Sequence, residues 1–402
     1  MYDIFLARQP IYTRSLEVHA YELLFRADQL NEARFLDGED ATSQVFINAL
    51  MDIGLTDLVG TRPAFVNCTE RYLLEGLPAP VVPTQVVLEV LEDILPTEQL
   101  IRAVKKLRQL GYLIALDDFV YDDSKRALVE NADLVKVDVL AMSAAQLAQQ
   151  VTLLKTFNKP LLAEKVEDFD TFSRCKALGF DYYQGYFFSR PNIVKGKHTP
   201  SSKLSIMQLL AKINAPDLEF RDLEKLIVQD VTMSYRILRY INSAMYSLPR
   251  KVESVHRAIT LLGLKSIRSW INILAMSNVD DKPYELMKIA LIRAKMCELL
   301  AQNTAVSSEA AFTVGLFSTL DALIDQPLED VLDKLPLSDD INNALLNKHG
   351  MLGDILLTVL AYEQGNWQMA TENHSQQSSP LGSSYLDALR WADETTHQLL
   401  AA

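Results

Sequence analysis

The sequence predicts an α/β protein, a TIM-like (β/α)8 barrel, followed by an all-α domain. Three observations predict it. Up to about residue 190, short β-branched and aromatic runs alternate with amphipathic stretches, the pattern of βα units in a largely parallel sheet. Nearly every strand-like run ends on a residue that can bind a metal or move a proton. Beyond about residue 190 the apolar positions fall three and four apart almost throughout, which is helical spacing.

The strand-like runs are Pro63–Val66, Gln85–Leu88, Tyr112–Leu116, Leu134–Val137 and Pro160–Ala163, with Ala20–Phe25 ahead of them and Tyr182-Tyr183 behind. Between them lie segments such as Thr97–Leu110, where Leu100, Ile101, Val104 and Leu107 make one apolar face. Pro191–Ser205 is rich in Pro, Ser and Lys, and a linker is expected over 192–205. That divides the chain into a barrel at 1–191, a helical domain at 206–365, and a polar segment with a short last helix at 366–402. In the helical half Asp230 and Ser234 are placed like helix N-caps and Gly263 like a helix stop. Gly365–Ser384, rich in Gln, Ser and Gly, is expected to be flexible, with a helix at Tyr385–Leu400.

Glu22 interrupts the first run. Asn67, Glu89, Asp117-Asp118, Lys136, Glu164 and Gln184 end or interrupt the later ones, with Glu92, Asp138 and Glu167 two or three residues further on. From Asn67 to Gln184 the gaps are 22, 28, 19, 28 and 20 residues, about one βα unit each; the 45 residues from Glu22 to Asn67 leave room for two. A (β/α)8 barrel opens all its strand ends onto one face, so these groups are expected to converge there. Glu22, Asn67, Glu89 and Asp117 are hard oxygen donors suited to Mg²⁺ or Mn²⁺, and so many carboxylates in one place call for a cation. Asp117-Asp118 suits a pair of metals of the kind used for in-line attack on a phosphodiester. A single strand-end acid is more simply a helix cap or the start of a solvated loop; seven in order are not. Lys136, inside an apolar run, is not an ordinary surface lysine.

The chain carries 39 Lys+Arg against 52 Asp+Glu, a formal charge of -13. This argues against duplex nucleic acid, which is held by many basic phosphate contacts, but leaves room for a small anion that binds through a metal. The longest apolar run, Ser269–Val279, is too short to span a bilayer, so no membrane association is expected. Met1–Phe5 lacks basic residues ahead of its apolar ones and does not read as a secretory signal. Cys68, Cys175 and Cys297 form neither a disulfide framework nor a zinc signature, and a cytoplasmic location is expected.

Residues 1–191 resemble the EAL-domain family, the phosphodiesterases of bacterial cyclic di-GMP signalling. The resemblance rests on Gln9-Pro10-Ile11, Glu22-Leu23-Leu24-Phe25-Arg26, Phe65-Val66-Asn67, Leu88-Glu89-Val90-Leu91-Glu92, Leu116-Asp117-Asp118-Phe119, Val135-Lys136-Val137-Asp138, Ala163-Glu164-Lys165-Val166-Glu167 and Gln184-Gly185-Tyr186-Phe187-Phe188-Ser189-Arg190-Pro191, in family order. It implies that Glu22, Asn67, Glu89 and Asp117 ligate a first Mg²⁺ or Mn²⁺ and Asp118 a second, two per site. It implies that Lys136 positions or deprotonates the attacking water, with Glu164, Glu167 and Gln184 in the catalytic group. Gln9, Arg26 and Asp138 would contact substrate and Glu92 would support the loop. Two departures stand out. Val120–Lys125 replaces a glycine-rich loop that helps couple the metals to dimerisation in the family, and Lys165 replaces a glycine. Related barrels often form homodimers, but the changed loop lies in the segment involved.

The second half resembles the HDOD family, helical relatives of the HD phosphohydrolases, over Gln229–Ala244 and Val255–Gly263. The stretch that would hold the metal-binding His-Asp pair reads Gly315-Leu316-Phe317-Ser318-Thr319-Leu320, and His256 and His349 have no partner at ligand spacing. The resemblance implies a non-catalytic module that contacts an unidentified protein. For Asn242-Ser243 a cap or turn role is the simpler account. The expected function is metal-dependent opening of cyclic di-GMP to the linear dinucleotide. The alternatives are a catalytically degenerate cyclic di-GMP receptor or scaffold, and a hydrolase of another phosphodiester.

Overall fold

The computed structural model describes residues 4–27, 54–75, 83–185, 187, 201–229, 231–242, 252, 254–277, 282–302, 304–374 and 380–400. The chain forms two compact units, 1–188 with 363–367, and 189–362 with 368–402.

The first unit is a closed eight-stranded barrel in sequential order: β1 Ile4–Thr13, β2 Val18–Ala27, β3 Ala64–Cys68, β4 Val86–Val90, β5 Leu113–Leu116, β6 Leu134–Asp138, β7 Leu161–Glu164 and β8 Tyr182–Gln184. Strands β2 to β8 pair in parallel, and β1 runs antiparallel to both β2 and β8. The eighth strand is therefore this N-terminal hairpin partner. The room for two units between Glu22 and Asn67 adds no strand to the barrel, because β2 pairs directly with β3. Pro10 inside β1 hid the strand from sequence reading, since proline removes a ladder donor.

One inward layer fills the barrel: Ile11, Ala20, Phe65, Val87, Ala115, Leu134 and Leu162, with Tyr182 packed against it, one residue from each strand. Side chains alternate across a strand, so the residue two positions on points into the same interior one layer higher. Those residues are Glu22, Asn67, Glu89, Asp117, Lys136, Glu164 and Gln184. In antiparallel β1 the direction reverses, and the matching residue is Gln9, two before Ile11. A one-residue slip in any strand would turn its polar group out of the barrel.

Helices of the barrel unit begin where the sequence supplies caps. Thr97 accepts from the Leu100 amide to start Glu98–Gln109, which buries Leu100, Val104 and Leu107. Ser143 and Gln146 form a capping box for Ala144–Lys155, and Asp168 caps Phe169–Leu178.

The described residues of the second unit are helical apart from turns, including Val231–Ile241, Val255–Ser277, Tyr284–Ala301, Ser308–Phe317, Gly350–Glu363 and Leu381–Leu400. Several expectations are corrected here. Of the linker expected at 192–205, residues 192–200 lie outside the described residues, and 201–205 begin the helix Ser201–Ile213. The buried Lys203 secures that first turn by an ion pair with Asp325, 2.8 Å. Asp230 also lies outside the described residues. Ser234 sits within a helix, donating its hydroxyl to the Ile227 carbonyl, 2.8 Å. Gly263, by contrast, does interrupt the helical run Val255–Ser277, as a helix stop would: at φ +81 and ψ 156 its backbone is non-helical and separates two helices across a kink. The expected flexible stretch holds the helix Trp367–His374, with Trp367 and Ala370 buried, and residues 375–379 lie outside the description. The last helix is longer than expected because Leu381, Tyr385, Ala388, Leu389 and Ala392 bury one continuous face.

Candidate active site

The interior layer above the apolar plug brings the strand-end residues together around one ammonium. Lys136, fully buried, places Nζ 2.6 Å from Glu89, 2.6 Å from Asp117, 2.9 Å from Glu164 and 3.3 Å from Glu22. Gln184 donates to Glu22 Oε2 at 2.6 Å and to Gln9 Oε1 at 3.1 Å, and Asn67 donates to Glu22 Oε1 at 3.5 Å. All eight strands thus contribute to one connected group.

One ammonium cannot neutralise four carboxylates. Burial pushes the Glu89 carboxyl well above its usual range, Lys136 opposes this, and Glu22 and Asp117 add to it. Burial likewise drives Glu164 up to about 8, against Lys136 and with Asp117 and Glu22. For Lys136, burial pulls down, but the surrounding carboxylates outweigh it and hold the ammonium well above the ordinary lysine range. Glu89 and Glu164 are thus both pushed towards their protonated forms, while Lys136 keeps its charge.

A second lysine stands at the rim. Lys165, the first residue after β7, places Nζ 2.5 Å from Asp138 and 3.1 Å from Asp118. Lys165 and Asp118 both have left-handed backbone, φ +56 and +41. The other Asp138 oxygen accepts from the Leu140 and Ala141 amides at 2.8 and 3.1 Å. The sequence flagged Lys165 only as a departure; a lysine between two glutamates, where a glycine is usual, was the available signal.

The loop that lacks the family's glycines closes without them. Asp118 is the only residue with positive φ between Asp117 and Lys125. Asp122 caps a short turn at Asp123–Lys125, and Gln150 exchanges hydrogen bonds with the Tyr121 amide and carbonyl at 2.9 and 3.2 Å.

Glu92 is exposed in the turn after β4, and Glu167 is half-buried in the loop after β7. Arg26 pairs through its backbone with Phe5 in β2, and its side chain lies outside the described residues.

Among the described residues no group of three or more His, Cys, Asp or Glu is arranged to hold a metal ion; the Lys136 ammonium takes the position on which the carboxylates converge. The donor set nevertheless fits a hard divalent cation. Both Glu89 carboxylate oxygens, Glu164 Oε2 and Gln184 Oε1 are buried without a hydrogen-bond partner, although Glu89 Oε1 lies within ion-pair distance of Lys136. Buried oxygens left unpaired are costly, and an ion that bound them would remove that cost.

In the helical unit, Gly315 lets two helices touch, since a Cβ there would lie 2.5 Å from the Arg293 carbonyl. Leu316, Phe317, Thr319 and Leu320 are buried beside it. Asn242 holds Val252 through both its carbonyl, 2.8 Å, and its amide, 2.7 Å, a turn-fastening role. Ser243 lies outside the described residues. His256 faces Glu224 at 3.2 Å on the surface, and His349 is exposed.

Fold and site together define a barrel whose mouth gathers acids, amides and a buried lysine, joined to a helical unit. The family model for the EAL domain matches residues 60–191, and that for the HDOD domain residues 199–328. Gln9, Glu22 and Arg26 lie ahead of the first matched stretch, and the barrel register is what brings Gln9 and Glu22 to the site. The chain is 35% identical over 413 residues to the uncharacterized protein YuxH of Bacillus subtilis, covering 99% of each chain. It is 32% identical over 404 residues to the cyclic di-GMP phosphodiesterase CdgJ of Vibrio cholerae, covering 98% of this chain and 93% of that one. Among solved structures, an EAL domain protein from Listeria monocytogenes is 21% identical, covering 47% of this chain and 88% of that one, with a TM-score of 0.36. The chain belongs to the EAL-domain family, in the form in which an HDOD domain follows the barrel.

Proposed function

We propose that this protein is a metal-dependent phosphodiesterase that hydrolyses cyclic di-GMP to the linear dinucleotide, with the HDOD unit as a non-catalytic interaction and regulatory module. One observation carries the reading: Glu22, Asn67, Glu89, Asp117, Lys136, Glu164 and Gln184 lie on, or for Asp117 directly after, seven successive strands of one barrel mouth. The name of the relative CdgJ supports the choice of nucleotide.

Glu22, Asn67, Glu89 and Asp117 would hold a divalent ion, Mg²⁺ or Mn²⁺, and a second ion at Asp118 would have to compete with the Lys165 ammonium for its carboxylate. A bound ion would supply Lewis-acid polarisation of the phosphate and a more acidic water. Lys136, kept charged by its carboxylates, favours positioning the attacking water over taking its proton. Glu164, with a pKa of about 8, suits proton exchange near neutrality. Gln184 orients Glu22, and Gln9 reaches the same network from β1. Arg26 and Asp138 are assigned to substrate contact, Glu167 to the catalytic group and Glu92 to loop support.

The apolar, buried stretch 315–320 supports a structural role for the HDOD core, and its partner would be a protein. Among the described residues no helix is long and apolar enough to cross a membrane. All three cysteines are free and buried, which suits a cytoplasmic setting.

Purified full-length protein incubated with cyclic di-GMP and Mn²⁺ or Mg²⁺ is expected to yield the linear dinucleotide, identified by mass, and a chelator should stop it. Tight binding of the nucleotide without turnover would leave a receptor instead. Turnover of other phosphodiesters but not this one would overturn the substrate.

A further inference from the structure

Lys165 combines an unfavourable backbone with a specific polar contact. At φ +56 it occupies the left-handed region, which a residue with a Cβ adopts less readily than glycine. Its side chain is half exposed. The ammonium crosses the end of β6 to bridge Asp138, at 2.5 Å, and Asp118, at 3.1 and 3.4 Å. Asp118 is itself left-handed, at φ +41. Two strained positions on different loops therefore face each other and share one charge pair. Strain kept at such a place points to a function for the group it presents.

The position of that charge decides what it does. Asp117 and Asp118 are adjacent, but their carboxylates are divided between two lysines, Asp117 to Lys136 and Asp118 to Lys165. The oxygens that a second divalent ion would need at Asp118 are those the Lys165 ammonium already holds, and Asp138 secures that ammonium from the other side. A covalently tethered cation competes at high effective concentration. We propose that Lys165 is a built-in monovalent cation standing in for a second divalent ion, so that each barrel takes one ion, at Glu22, Asn67, Glu89 and Asp117. The inference rests on the metal-dependent reading above and adds to it the ion stoichiometry.

The test counts ions directly. Metal-stripped full-length protein and its Lys165→Gly and Lys165→Arg variants are titrated with Mn²⁺ alone, with bound ions counted by equilibrium dialysis and elemental analysis. Electron paramagnetic resonance reports whether two bound ions are coupled. Glycine is unstrained at this φ, so Lys165→Gly is expected to fold, and thermal unfolding checks it. Wild type and Lys165→Arg should bind one Mn²⁺ with an uncoupled spectrum. Lys165→Gly should bind two, coupled, with the second ion held roughly 10–100-fold more tightly than any second ion in wild type. Two coupled ions in wild type, or one ion in all three proteins, would overturn the inference while leaving metal dependence standing. No ion in any of them would overturn both.

Discussion

Lys136 and Lys165 make the same kind of contact in two different settings. Lys136 lies on a regular strand, is fully buried, and faces four carboxylates from β2, β4, β7 and the end of β5. Lys165 lies on a loop, is half exposed, and faces two carboxylates from a left-handed position. Removing a partner from a buried charge group is strongly destabilising, whereas an exposed pair contributes little to stability. The inner lysine therefore matters more to the stability of the mouth than the rim lysine does.

The most severe way to break this contrast is Lys136→Met, which keeps the stem and removes the charge. Turnover of cyclic di-GMP should fall by about 10²–10⁴-fold, and metal-free stability by about 3–5 kcal/mol. Saturating Mn²⁺ should recover part of that stability, read by thermal unfolding. Normal turnover in Lys136→Met would sink the site assignment.

A smaller effect is expected at Gln184, which touches Glu22 but neither lysine. Gln184→Leu should weaken Mn²⁺ binding by about 10–100-fold with little change in the metal-free melting temperature. An equal loss of stability would make Gln184 part of the structural floor.

The two settings also differ in protons. Glu164 is protonated below its pKa of about 8 in the metal-free site, and an ion that uses its carboxylate must displace that proton. Mn²⁺ affinity should thus rise with pH towards pH 8, by about tenfold per pH unit for each proton displaced, with the raised Glu89 carboxyl adding to the rise. Calorimetry in buffers of different ionisation enthalpy should show proton release at pH 7. A flat profile would mean that Glu164 stays out of the ion's reach.

The mildest test concerns the rim. Gln150→Ala removes both hydrogen bonds that fasten Tyr121 and should cost about 1 kcal/mol. Hydrogen exchange should quicken over 119–125 while the β6 amides beside Lys136 keep their protection.

Much of the site was legible in sequence because strand alternation is local. An inward apolar residue followed two positions later by Glu, Asp, Asn, Lys or Gln recurs from β2 to β8. What was not legible came from long-range pairing. The antiparallel β1 resembles a poor strand because of Pro10, and only closure against β8 gives it a place. The gap before Asn67 leaves room for two units, but β2 and β3 pair directly, so no strand enters the barrel between them. Helical continuity at 201–205 and 367–374 was hidden by polar composition, because the buried contacts of Lys203 and Trp367 lie far away in sequence.

The amino-acid sequence by itself determined which residues face the barrel interior and in what order they arrive at its mouth, since the period of a strand is two whatever surrounds it. Tertiary structure alone decided how those charges are shared. Asp117 and Asp118 are neighbours in sequence, yet one joins Lys136 and the other Lys165, because barrel closure and a left-handed backbone at Asp118 direct adjacent carboxylates to cations 19 and 47 residues away.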